Sequence, residues 1–134
     1  MSEEQILVIQ RSLFDELGAF QGINHDLERY LSAFLNGNNN FFTPRGPAEI
    51  NPSLKQLIPY AIFTYQGKVL RYTRGGKSGE QRLAAKMSIG IGGHINDTDG
   101  THGAFDSNTY LNAVNREISE ELQLGGPFTQ RPVA

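Results

Sequence analysis

Between Arg116 and Glu121 the chain places one guanidinium and three carboxylates: Arg116, Glu117, Glu120 and Glu121 in the run REISEEL. On a helix turning roughly 100° per residue, Glu117, Glu120 and Glu121 share one arc of roughly 100°. Carboxylates crowded this way repel one another and call for a cation. Their hard oxygens suit Mg²⁺ or Mn²⁺, held by few protein ligands and completed by water and substrate phosphate. Such an ion neutralises a diphosphate and lowers the pKa of an attacking water. Glu120 and Glu121, then Glu117, are the candidate ligands. Arg116 stands four residues before Glu120 and can pair with it along the helix. The plain alternative is a solvated charged face on a helix seated by its apolar stripe, Leu111, Val114, Ile118 and Leu122.

Upstream lies a second group. Gly92 and Gly93 can let backbone come close to a ligand, and His94 follows at once. His94 could touch phosphate, ligate metal or serve as a hydrogen-bonded structural residue. Arg71, Arg74, Lys77, Arg82 and Lys86 form a basic region just before the glycines. It could steer a polyphosphate inward, Arg74 and Lys86 most directly, or be a solvated hairpin and loop. The loop after His94 carries Asp97, Asp99, His102 and Asp106, but it lacks the ligand spacing and closing Glu of a calcium loop. A solvated loop is expected there.

REISEEL resembles the core of the Nudix box, G-x5-E-x7-R-E-U-x-E-E-x-G-U with U bulky and apolar. Arg116, Glu117, Ile118, Glu120, Glu121 and Leu124 match, and Gly92-Gly93-His94 resembles the glycine turn ahead of the box. The resemblance implies an α/β (α+β) chain with a Nudix-type α/β/α sandwich. It also implies Mg²⁺- or Mn²⁺-dependent hydrolysis of a nucleoside diphosphate linked to another group, with Arg116 orienting a glutamate and Glu117 or Glu120 helping to deprotonate the water. The sequence departs from the pattern in three places. Gly93 lies 23 residues before Arg116 where the pattern has 14, which implies an insertion of about nine residues within Asp97–Ser107. Counted back from Arg116, the pattern's first Glu falls on Asn108, which carries no charge, with Asp99 or Asp106 as nearby substitutes. Its last Gly falls on Gln123, with Gly125-Gly126 just beyond to end the helix.

The 134 residues suit one domain, with 1–56 as an N-terminal extension packed on a core at 57–124 and a tail at 125–134. Apolar content of 38% and charged content of 19% are ordinary for a globular chain. A net charge of −2 gives no general footprint for nucleic acid or an anionic membrane. No apolar run is long enough to span a bilayer, and the acidic start MSEEQ is unlike a signal peptide. Without cysteine there is neither a disulfide framework nor a thiolate metal site. A cytoplasmic protein is expected.

The remaining elements position the site. Gln5–Gln10 reads as a buried strand and Arg11–Gly18 as a short helix capped by Ser12 and ended by Gly18. Asn24–Asn36 has helical periodicity in Leu27, Tyr30, Leu31, Phe34 and Leu35, with Asn24 as N-cap and its aromatics as core. Asn36–Asn40 reads as a loop and Thr43–Pro52 as an irregular connection, where Arg45 could meet phosphate or solvent. Pro59–Gln66 and Lys68–Thr73 read as strands joined by a tight turn at Gln66-Gly67. Lys86–Ile91 reads as a central strand delivering the glycines. The order, with its long N-terminal extension, resembles a group of bacterial Nudix proteins known as predicted phosphoesterases.

Only ten residues follow Leu124, whereas a Nudix domain continues with further strands and a helix. The resemblance therefore implies a sandwich incomplete at its C-terminal end, with exposed apolar surface that favours a homodimer or larger assembly. Two other readings stay open: a non-catalytic Nudix-like nucleotide-binding module, and a relative of isopentenyl-diphosphate isomerase. The second lacks the cysteine its chemistry needs.

Overall fold

Four consecutive apolar residues, Ile6 to Ile9, are buried almost completely. Such a run needs cover on both faces, and strand β1 (Gln5–Gln10) receives it. It lies between β2 (Asn40–Pro44) and β3 (Leu54–Gln56), antiparallel to both. Side chains alternate across the sheet. Ile6 and Val8 pack with Ala48 of the short helix α3 (Arg45–Glu49) and with Leu54. Leu7 faces the other way, onto Ile95 and Ala113, with Phe42, Leu57 and Tyr110 around them. Ala113 belongs to the last helix, α4 (Ser107–Glu121).

The computed structural model describes residues 3–73, 86–99, 107–121 and 128–134, and the side chains of all of these except 107–109 and 121. Arg74, Lys77, Arg82, His102, Asp106, Leu122, Gln123 and Gly125-Gly126 lie outside the described residues. Among those described, no helix is long and apolar enough to cross a membrane.

Helix α1 (Arg11–Gly18) follows β1 directly. Gln10, not Ser12, is its N-cap, with no side-chain cap, because the chain turns straight out of the strand. Gly18 ends it at φ +109°. Helix α2 is shorter than its periodicity suggests, Leu27–Phe34. Asp26 caps it by accepting from the Arg29 amide at 3.2 Å, while the Asn24 side chain, two residues earlier, accepts from the Asp26 amide. Its aromatics pack inward, as expected: Tyr30 and Phe34 form a cluster with Phe14 of α1 and Phe20 at centroid distances of 5.0 to 6.5 Å.

Within Thr43–Pro52, expected to be irregular with at most one short turn, Thr43 and Pro44 end β2 and Arg45–Glu49 form α3. The edge of β1 recruits Phe41 and Phe42, which pair with Val8 and Leu7, so tertiary pairing overrides the neighbouring proline. Arg45 meets neither solvent alone nor an open site. It donates to Glu49 at 2.8 Å and to Glu4 at 3.0 Å. The Arg45 hydrogen bond, opposed by slight desolvation and aided by attraction, holds the Glu49 carboxyl below its ordinary 4.5. A depressed carboxyl adds stability that is present above 4.5 and is lost as pH falls below it. Urea midpoints should therefore drop less on acidification in Glu49→Gln than in the wild type. The difference should shrink in salt, since the pair is exposed.

The two strands expected next are each broken: β4 (Tyr60–Ile62) and β5 (Thr64–Tyr65), then β6 (Lys68–Val69) and β7 (Tyr72–Thr73). Gln66 at φ +51° and Gly67 at φ +75° form the expected tight turn between β5 and β6. The strand expected over Lys86–Ile91 divides into β8 (Met87–Ser88) and β9 (Gly90–Gly92). Ser88 Oγ donates to the Gly90 carbonyl at 3.0 Å where the strand breaks. Among the described residues β9 pairs only with β4, so it is not central there. The tail Phe128–Ala134 is exposed, and the Val133 carbonyl accepts from His25 Nδ1 at 2.6 Å.

Candidate functional site

Helix α4 is seated on part of its hydrophobic stripe, with Ile118 buried and Val114 half-buried, and on residues beside it. Ala113 is fully buried and Ile118 nearly so, while Leu111 is 42% exposed. Ala113 packs against Leu7 and Ile95, so the buried face is rotated toward Tyr110, Ala113 and Glu117. Burial also raises the Tyr110 hydroxyl above its ordinary pKa. This rotation turns Glu117 inward, its side chain only 14% exposed, and leaves Glu120 at 56%.

Arg116 is the hub. Its Nε and Nη2 donate to Asp99 at 2.7 and 3.0 Å, a two-pronged grip on one carboxylate. Nη2 also donates to the His94 carbonyl at 2.9 Å. Nη1 donates to Glu117 at 2.9 Å and reaches Glu120 at 3.4 Å. The hydrogen bond to Asp99 is the largest influence on the guanidinium, which is pushed above its ordinary pKa. One positive charge faces three carboxylates, so the cluster is net negative.

Of the two substitutes named for the uncharged Asn108, Asp99 is the one the described residues place against Arg116. It ends a 3₁₀ turn, Asp97–Asp99, with its side chain 4% exposed, and its Oδ2 also accepts from the Asn96 amide at 2.9 Å. It is therefore no solvated loop residue. Counted forward from Gly93 with the five-residue spacing of the pattern, the acid position falls on Asp99 rather than Asn108. On that count the insertion lies between Asp99 and Arg116.

The glycine turn meets the helix at Glu117. A Cβ on Gly93 would overlap the Glu117 carboxylate, and one on Gly92 would lie 2.9 Å from the Pro59 carbonyl. Gly93→Ala should therefore displace Glu117 from its place beside Arg116. Thermal melting of this variant should fall measurably, because the ion pair between Glu117 and Arg116 is loosened. Gly90→Ala is the control, since its Cβ meets only the exposed Tyr60 ring. His94 is half-buried, and its Nε2 donates to Gln56 Oε1 at 2.6 Å.

The structure thus brings together Arg116, Glu117, Glu120, Gly92, Gly93 and His94. Glu121 is the last helical residue described, Arg74 lies outside the described residues, and no described contact joins the exposed Lys86 to the cluster. Among the described residues no three carboxylate or imidazole groups converge as a metal site. Glu117 and Glu120 converge instead on Nη1 of Arg116. Their donor chemistry suits a hard divalent ion that keeps several waters, and the missing Cβ of Gly93 leaves the space Glu117 uses.

No family model matches this chain. Over 80 residues, 60% of its length, it is 42% identical to Protein YmaB of Bacillus subtilis (strain 168) and covers 38% of that protein. In three dimensions 90% of the chain matches the crystal structure of Tm1382, a candidate Nudix hydrolase, with a TM-score of 0.71 and 31% sequence identity. That match takes in 59% of Tm1382. The chain therefore spans under two-fifths of one relative and about three-fifths of the other. The mixed helix-and-strand architecture and the resemblance carried by REISEEL lead to the same place: this chain has the Nudix-type α+β fold.

Proposed function

We propose that this chain carries the carboxylate site of a metal-dependent hydrolase that cleaves a diphosphate linkage in a nucleoside diphosphate derivative. The observation that carries the reading is the clamp in which Arg116 holds Glu117 and Glu120 beside Gly93. Glu117 and Glu120, with Glu121 beside them on the helix, would hold Mg²⁺ or Mn²⁺. When bound, such an ion neutralises the diphosphate and makes water a better nucleophile. Arg116 fixes the carboxylates, and Glu117 or Glu120 accepts the proton of the attacking water. Backbone at Gly92 and Gly93 comes within reach of the phosphates, with His94 beside them and Lys86 and Arg74 adding positive charge. The cell compartment that fits this substrate is the cytoplasm.

One observation favours a second reading, a nucleotide-binding module without turnover: Arg116 lies where the carboxylates would otherwise converge on a metal. The deciding experiment measures phosphate and nucleoside monophosphate release from a panel of nucleoside diphosphate derivatives, with Mg²⁺, Mn²⁺ or chelator. Metal-dependent release supports the hydrolase. Nucleotide binding without release supports the module.

A further inference from the structure

We propose that Gln56, in the N-terminal sheet, is a positioning residue for the site and acts through His94. This rests on the hydrolase reading for its effect on substrate, but its geometry stands apart from that reading. Gln56 Oε1 lies 2.6 Å from His94 Nε2. An amide oxygen only accepts, so Nε2 carries the hydrogen, and in the neutral ring the lone pair then belongs to Nδ1. The backbone of the same histidine is held by Arg116, whose Nη2 donates to its carbonyl at 2.9 Å. His94 is thus fixed by the N-terminal sheet at its ring and by the carboxylate-bearing helix at its main chain.

Gln56 is itself firmly placed. It pairs with Val8 in the ladder between β1 and β3. The next amide, Leu57, donates to the Leu7 carbonyl at 3.1 Å, and the Leu7 amide donates to the Ile95 carbonyl at 2.9 Å. A closed circuit results, from Leu7 to Ile95, His94, Gln56, Leu57 and back to Leu7. It couples the ring orientation of a residue beside the glycine turn to a strand far from it in sequence. The N-terminal sheet therefore supplies part of the site.

The test has two readouts. In nitrogen-proton NMR spectra of the imidazole rings, the His94 ring of the wild type should show the Nε2–H form. Gln56→Ala should shift the Nε2–H signal of that ring, and Gln56→Glu, which keeps an accepting oxygen at the same reach, should keep Nε2 protonated. In steady-state kinetics on the substrate found by the panel, Gln56→Ala should raise KM roughly fivefold, the net worth of one hydrogen bond, with kcat within about twofold. That rise should vanish in a His94→Ala background, because a residue acting through His94 has nothing left to position. A ring spectrum unchanged by Gln56→Ala overturns the inference, and so does a KM effect that persists without His94. Absence of turnover in the wild type overturns the hydrolase reading and the substrate effect together. The ring spectrum needs no turnover and decides the positioning by itself.

Discussion

Arg116→Met is expected to cost the folded state about 3 kcal/mol, read as a fall in ΔG of urea unfolding, because it leaves the Asp99 carboxylate without its countercharge. The Asp99 side chain is 4% exposed, so water cannot take over the two hydrogen bonds it loses. Only the Asn96 amide remains of its described partners. Methionine keeps most of the stem volume, so the loss is electrostatic rather than a cavity. Arg116 is itself 26% exposed, which admits some water and keeps the expected cost near the lower end for a broken buried pair. The reverse change is milder. Asp99→Asn leaves Arg116 with Glu117, Glu120 and the His94 carbonyl, and should cost about half as much. The double variant should recover part of the Arg116→Met loss, since a neutral asparagine is cheaper to bury than an orphan charge. A loss below about 1 kcal/mol in Arg116→Met would place this pair among ordinary surface ion pairs.

The same pair explains what could and could not be read from the sequence. The carboxylate helix, the buried strand at Gln5–Gln10 and the turn at Gln66-Gly67 were legible because each rests on local chemistry: charge spacing, an unbroken apolar run, and two positive-φ positions. Asp99 was legible only as one of two substitutes, because of the direction of counting. An insertion destroys spacing measured back from Arg116 but preserves spacing measured forward from Gly93. Ala113 was hidden because a hydrophobic stripe weights large side chains, whereas the residue packed against Leu7 and Ile95 is a small one. The order in Asn40–Glu49 comes from the open edge of β1, a long-range effect that propensity does not contain. Gln56 gave no signal, being a polar residue in a three-residue strand whose partner lies 38 positions away.

Glu117→Gln and Glu120→Gln are expected to lower metal-dependent release roughly a hundredfold or more, while differing in how they do so. Glu120 is exposed and only loosely held by Arg116 at 3.4 Å, so Glu120→Gln should leave unfolding almost unchanged and act on metal affinity and turnover alone. Glu117 is inward-facing, accepts from Arg116 at 2.9 Å and lies against the glycine turn. Glu117→Gln removes a charge that Arg116 attracts, so it should lower stability measurably as well as turnover. The amide also keeps the size of the acid, so the glycine turn need not move. If raising Mn²⁺ restores rate in Glu120→Gln but not in Glu117→Gln, Glu120 serves mainly as a ligand, and Glu117 is the better assignment for the proton acceptor. The reverse pattern exchanges those roles. Equal loss in both, with Mn²⁺ binding intact by titration, would remove the carboxylates from the metal and return them to Arg116 as a structural ion-pair network, which is the arrangement the binding-module reading requires.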